Sequence, residues 1–122
     1  MEDRIFELRM KGYCCSQIIM ELGLMQMEKE NPDLIAAMAG LCNGLQEGKL
    51  CGTLSAACCL LYLADPEEAA LRLNTELIDW FQDAFGSLDC KELLEGSSRN
   101  KMEKCPLIVE NTYKKLEELL DW

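Results

Sequence analysis

Histidine is absent from all 122 residues. That removes imidazole as a metal ligand, as a general base and as an axial ligand to haem. Aromatic residues make up only 7% of the chain, and Val and Thr are far outnumbered by Leu, Ala and Met. The balance favours helices over sheets. No cluster of Lys and Arg occurs, and the formal charge is −10. A phosphate backbone would be repelled, so nucleic-acid binding is excluded and an anionic membrane surface is disfavoured. The longest uncharged run, Leu50 to Ala64, is too short to cross a bilayer and is interrupted by Gly52, so no membrane insertion is expected. Met1-Glu2-Asp3-Arg4 lacks the basic and apolar regions of a signal peptide, which leads to the expectation of a soluble cytoplasmic protein. There is no C-x-x-C pair and no strand-like alternation, which argues against a thioredoxin-like fold. Glu117 and Glu118 have no partner in the sequence that would raise either pKa, so acid–base hydrolysis finds no support.

Sulfur is what the chain has in abundance. Eight cysteines in a reducing compartment read as redox-active or metal-binding sooner than as a structural framework. The organising stretch runs from Gly40 to Cys59, where Gly40, Gly44 and Gly48 break an incoming helix. Cys51-Gly52 then opens a run in which Thr53, Ser55, Ala56 and Ala57 alternate with leucines. Small residues at helical spacing let a second backbone come close.

Around that stretch the 3.6-residue periodicity predicts helices over 1–10, Tyr13–Leu22, Pro32–Cys42, 52–63, Glu67–Phe85 and Pro106–Leu120, with a short helical turn over Leu88–Leu94. Asn31-Pro32 and Asp65-Pro66 are cap-plus-proline starts. Gly23 is placed past the end of the second helix. Glu95–Lys104 reads as a polar, mobile surface loop. The expected fold is therefore all-α, a compact single-domain bundle of about five to seven helices over residues 1–122.

Four cysteines fall at expected helix starts: Cys15, Cys51, Cys90 and, at the N-cap before Pro106, Cys105. Free amides and the macrodipole at such positions favour the thiolate. Cys58 and Cys59 lie inside an apolar run and are expected as core filler. Cys14 points about 100° round the helix from Cys15, and the glycine turn could bring Cys42 back toward Cys51. The pattern supports thiol–disulfide chemistry by a thiol oxidoreductase, with Cys51 as nucleophile and one of Cys15, Cys90 or Cys105 resolving it. Cys90 and Cys105, flanking the polar loop, could also pair with each other. An alternative use of the same Cys15, Cys51, Cys90 and Cys105 is as a four-thiolate ligand set for zinc or an iron–sulfur cluster. A third is a helical interaction module with inert cysteines. Trp80 and Phe81 fit core or homodimer packing.

Four segments carry a resemblance over nearly the whole chain. Gly12-Tyr13-Cys14-Cys15-Ser16-Gln17 is similar to G-Y-N-C-A-Q, and Cys51-Gly52-Thr53-Leu54-Ser55-Ala56 to C-G-A-x-x-G. Phe85-Gly86-Ser87-Leu88-Asp89-Cys90-Lys91-Glu92-Leu93-Leu94 is similar to F-G-S-x-x-C-x-x-L-L, and Cys105-Pro106-Leu107-Ile108-Val109 fits the last cysteine and its helix. These are the motifs of the bacterial and archaeal C-GCAxxG-C-C family, named for its four cysteines. The chain departs from them at Thr53, at Ala56, which replaces glycine, and at Cys14, which replaces asparagine. The resemblance implies an all-helical fold and a redox role for Cys15, Cys51, Cys90 and Cys105. Some relatives carry selenocysteine in place of cysteine, and the partner expected for this chain is a redox partner or a small sulfur or selenium species.

Overall fold

The two cap-plus-proline signals start helices as the sequence predicts. In the computed structural model, which describes residues 2–122, Asn31 accepts a hydrogen bond from the Leu34 amide at 3.1 Å and opens α3, Pro32–Met38. Asp65 accepts from the Glu68 amide at 3.3 Å and opens α5, Pro66–Glu68. That helix passes through a widened turn, Ala69–Leu73, into α6, Asn74–Phe85, and Gly86 at φ +82° stops it. The remaining helices are α1 (Glu2–Met10), α2 (Cys15–Gln26), α4 (Gly52–Ala64), α7 (Cys90–Leu93) and α8 (Lys101–Leu120). The fold is all-α, and no helix among the described residues is long and apolar enough to cross a membrane.

Three helices form the centre. α2, α4 and α8 pack on one another, with α6 against α4 and α8. Ile18 and Ile19 of α2, Leu54 and Leu60 of α4, Phe81 of α6 and Leu116 of α8 are all fully buried there. Each such side chain stabilises the fold by roughly 1.5–3 kcal/mol relative to exposure. Gly23 lies inside α2, not beyond it. A Cβ at that position would run into the Leu60 side chain, so the missing methyl is what lets α4 lie against α2.

The chain between α3 and α4 is irregular. Asn43, Leu45 and Gln46 all take positive φ, at 55°, 62° and 63°. An isolated antiparallel bridge then pairs Leu50 with Asp89. The Cys51 amide donates to the Leu88 carbonyl at 2.8 Å, and the Cys90 amide to the Lys49 carbonyl at 2.7 Å. Those two bonds fix the start of α4 beside the start of α7.

A disulfide joins Cys14 to Cys42, with Cα atoms 6.0 Å apart across 28 positions of sequence. Cys42 therefore turns toward α2, not toward Cys51. Closing a loop of that length is worth about 3–4 kcal/mol in the chain-entropy model. Neighbouring polar contacts point the same way: Ser16 donates to the Met38 carbonyl at 2.7 Å and Gln17 to the Ile35 carbonyl at 3.1 Å. Gln17 also accepts from the Cys14 amide at 3.1 Å. The first turn of α2 is thus bound to α3 and the turn after it.

Candidate functional site

Cys15, Cys51, Cys90 and Cys105 line one cavity. Cys15 is the first residue of α2, Cys51 the N-cap of α4 and Cys90 the first residue of α7. Cys105 is not at an N-cap. Helix α8 begins at Lys101, and Pro106 stands inside it in the second turn. The proline is tolerated because so few backbone bonds precede it, and the preceding polar segment is helical from Ser98 onward instead of a free loop. Cys105 reaches the cavity from one turn into α8, on the same face as Lys101.

Cys51 is buried and the other three are partly exposed. The cavity holds about 10 Å³, the room of about one water. Gly52 brings the walls together. A Cβ there would lie 2.5 Å from the Leu41 carbonyl oxygen and 3.4 Å from the Ser16 Cβ.

The expected thiolates are not what this environment makes. Burial, with a smaller contribution from repulsion by Cys15 and Cys90, pushes the Cys51 thiol up to about 11. The amides of Leu54 and Thr53 pull it part of the way back, though neither has capping geometry to the sulfur. Cys105 is pushed up to about 12 by burial and by Cys15, Cys51 and Cys90, against an opposing pull from Lys101. Cys90 is raised by burial and by Cys15, again opposed by Lys101. Desolvation therefore outweighs the helix termini, whose contribution is about 0.3–1 kcal/mol each.

The raised thiols tie stability to pH. A group whose pKa is higher in the folded state favours folding below its unfolded pKa, and that advantage fades as pH rises toward the folded value. For Cys51 the window is from about 9 to about 11. Cys51 alone is expected to account for on the order of 1 kcal/mol of the stability lost in urea unfolding between pH 8 and pH 10, with Cys58 and Cys105 adding to the loss. In Cys51→Ala the drop should be smaller.

The family described as "Putative redox-active protein (C_GCAxxG_C_C)" matches residues 13–119. The chain belongs to that family. No curated protein and no solved structure matches it. The four cysteines that carry the family motifs are the four that share the cavity, and the other four lie outside it. Cys14 and Cys42 are bonded to each other. Cys58 packs against the core and is pushed up to about 11 by burial. Cys59 is exposed, so it is not core filler.

A structural zinc in a chain without histidine needs three or four thiolates on one metal at about 2.3 Å, and an iron–sulfur cluster needs four thiolates spread around its irons. Among the described residues no group of three or more His, Cys, Asp or Glu is placed to hold a metal ion. A cavity with room for about one water does not fit a cluster either. The donor set as folded does not suit those cofactors.

Asn43 and Lys101 also line the cavity, and neither is expected from the sequence. The signal for Lys101 is its place four residues before Cys105, which reads as one helix face once α8 starts at residue 101. Pro106 obscures it, because proline at a first helical position is the commoner pattern.

Proposed function

We propose that the cavity is a thiol–disulfide redox centre in which Cys15 meets the substrate and Cys51 completes the exchange. The reading rests on one observation: four thiols from α2, α4, α7 and α8 line a single small cavity. A mixed disulfide formed there has other thiols as its nearest nucleophiles. Cys15 takes the entering role because it is partly exposed and lines an outer cleft of about 240 Å³, and Cys105, which shares that cleft, is pushed up to about 12 by burial and its neighbouring thiols. Cys51, buried behind it and pushed up to about 11, is a poor first nucleophile, which reverses the order expected from the motif alone.

Two successive exchanges complete the reaction. The Cys15 thiol loses its proton to water, and the thiolate attacks one sulfur of a disulfide R–S–S–R. The S–S bond breaks, and RS⁻ leaves and is protonated. Cys51, deprotonated in turn, attacks the Cys15 sulfur of the mixed disulfide and releases a second RSH. Two protein thiols are oxidised to a disulfide and R–S–S–R is reduced to two thiols. Cys15 is a cause of the raised pKa at Cys51, Cys90 and Cys105 alike. As a mixed disulfide Cys15 carries no charge, so it places no repulsion beside the thiol that must act next. The small thiolate fraction of Cys51 at neutral pH, roughly one part in ten thousand for a pKa near 11, is offset by proximity, which in well-oriented pairs is worth effective molarities of about 10⁵ M or more.

The test is intact-mass analysis of the protein, its cavity thiols reduced, after treatment with 2-hydroxyethyl disulfide. Release of two equivalents of mercaptoethanol and a protein two hydrogens lighter, with no adduct retained, is expected. A stable adduct on Cys59 alone would overturn the reading.

A further inference from the structure

We propose that the disulfide this centre reduces is a small anionic one, its carboxylates held at the mouth by Arg9 and Lys101. The inference rests on the redox reading above and adds the substrate class. Three spaces adjoin at the cysteines. The inner cavity is flanked by the 240 Å³ cleft, which Arg9, Cys15 and Cys105 help line, and by a second cleft of about 260 Å³ lined in part by Cys90 and Lys91. Asn43 and Lys101 line all three.

The charge at this mouth runs against the rest of the molecule. The chain carries 22 acidic residues against 12 basic ones, yet no carboxylate lines any of the three spaces. Arg9, Lys91 and Lys101 are the charged residues that do. Among the described residues none of the three has an ion-pair partner, as is also true of Lys11, Lys29, Lys49 and Arg99, but only these three line the spaces at the cysteines. Arg9 and Lys101 are half-buried, so their charges are less screened than those of fully exposed side chains. A carboxylate-bearing ligand replaces the partner these cations lack, and its sulfur is then carried to Cys15. Both clefts accept a small molecule, not a folded protein.

Three disulfides of similar size separate the possibilities: dithiodipropionate, which is anionic, 2-hydroxyethyl disulfide, which is neutral, and cystamine, which is cationic. Each rate is divided by that of dithiothreitol with the same disulfide, to remove intrinsic reactivity. The normalised rate for dithiodipropionate is expected to exceed that for cystamine by at least about tenfold at low ionic strength, and the gap should close toward 1 M salt. Arg9→Gln and Lys101→Gln should each shrink the ratio, while Lys114→Gln should not. The overall charge of −10 by itself favours cystamine. A cystamine preference, or equal normalised rates, overturns the inference and leaves the redox reading standing if the neutral disulfide is still reduced. Failure to reduce any of the three overturns both.

Discussion

Cys15→Ser is expected to slow reduction of 2-hydroxyethyl disulfide by more than about 100-fold, because it removes the sulfur that meets the substrate. Cys51→Ser should behave differently. The first exchange still occurs, but the resolving thiol is gone, so one mercaptoethanol is released and the other half of the disulfide stays on the protein. Mass analysis should find that adduct on Cys15. The two variants thus separate an entering from a resolving role, which loss of activity alone does not. Both replacements remove a single sulfur at a cavity wall, and near-identical far-UV spectra would show that folding is kept. An adduct on Cys51 in Cys15→Ser, at a rate near that of wild type, would restore the order suggested by the motif.

Gly52→Ala carries the second large effect. The added methyl would meet the Leu41 carbonyl oxygen at 2.5 Å and its carbon at 3.3 Å. Neither belongs to a flexible side chain, so the backbone of the turn after α3 has to move. Overpacking of this kind costs about 1–3 kcal/mol, and more where backbone is involved. We expect a loss of about 3 kcal/mol in urea unfolding and a matching loss of disulfide reduction, since the displaced wall also holds Cys51. Gly40→Ala is the control, because a Cβ there meets nothing within 4 Å. Equal stability of the two variants would show that the close approach at Gly52 is not needed.

How much of this is legible in the sequence differs by residue. Helices that begin on Asn31-Pro32 and Asp65-Pro66 can be read directly, because a cap side chain and a fixed proline φ act locally. So can the convergence of Cys15, Cys51, Cys90 and Cys105, through the motifs in which they sit. Helix α8 cannot. Its first turn is polar and its proline is misplaced, and that turn is tied to the chain before it by Asn100, which donates to the Leu94 carbonyl at 2.8 Å, and Lys104, which donates to the Leu93 carbonyl at 3.1 Å, which no local rule sees. Gly23 misleads for the same reason, since its partner Leu60 is remote in sequence. The thiol pKa values differ most from expectation: a helix start is visible in sequence, but the desolvation that outweighs it exists only once Cys51 and Cys105 are enclosed. The Cys14–Cys42 pairing depends on how the turn after α3 folds back, and the glycines there allow several paths.

The central claim is that sulfurs from separate helices exchange electrons with one another. Peptide mapping of the protein after reaction with 2-hydroxyethyl disulfide, in a background carrying Cys58→Ala and Cys59→Ala, tests it most directly. A new cross-link between the peptides holding Cys15 and Cys51 is the expected product. Recovery of Cys15, Cys51, Cys90 and Cys105 as four free thiols, with all oxidation confined to Cys14 and Cys42, would contradict it.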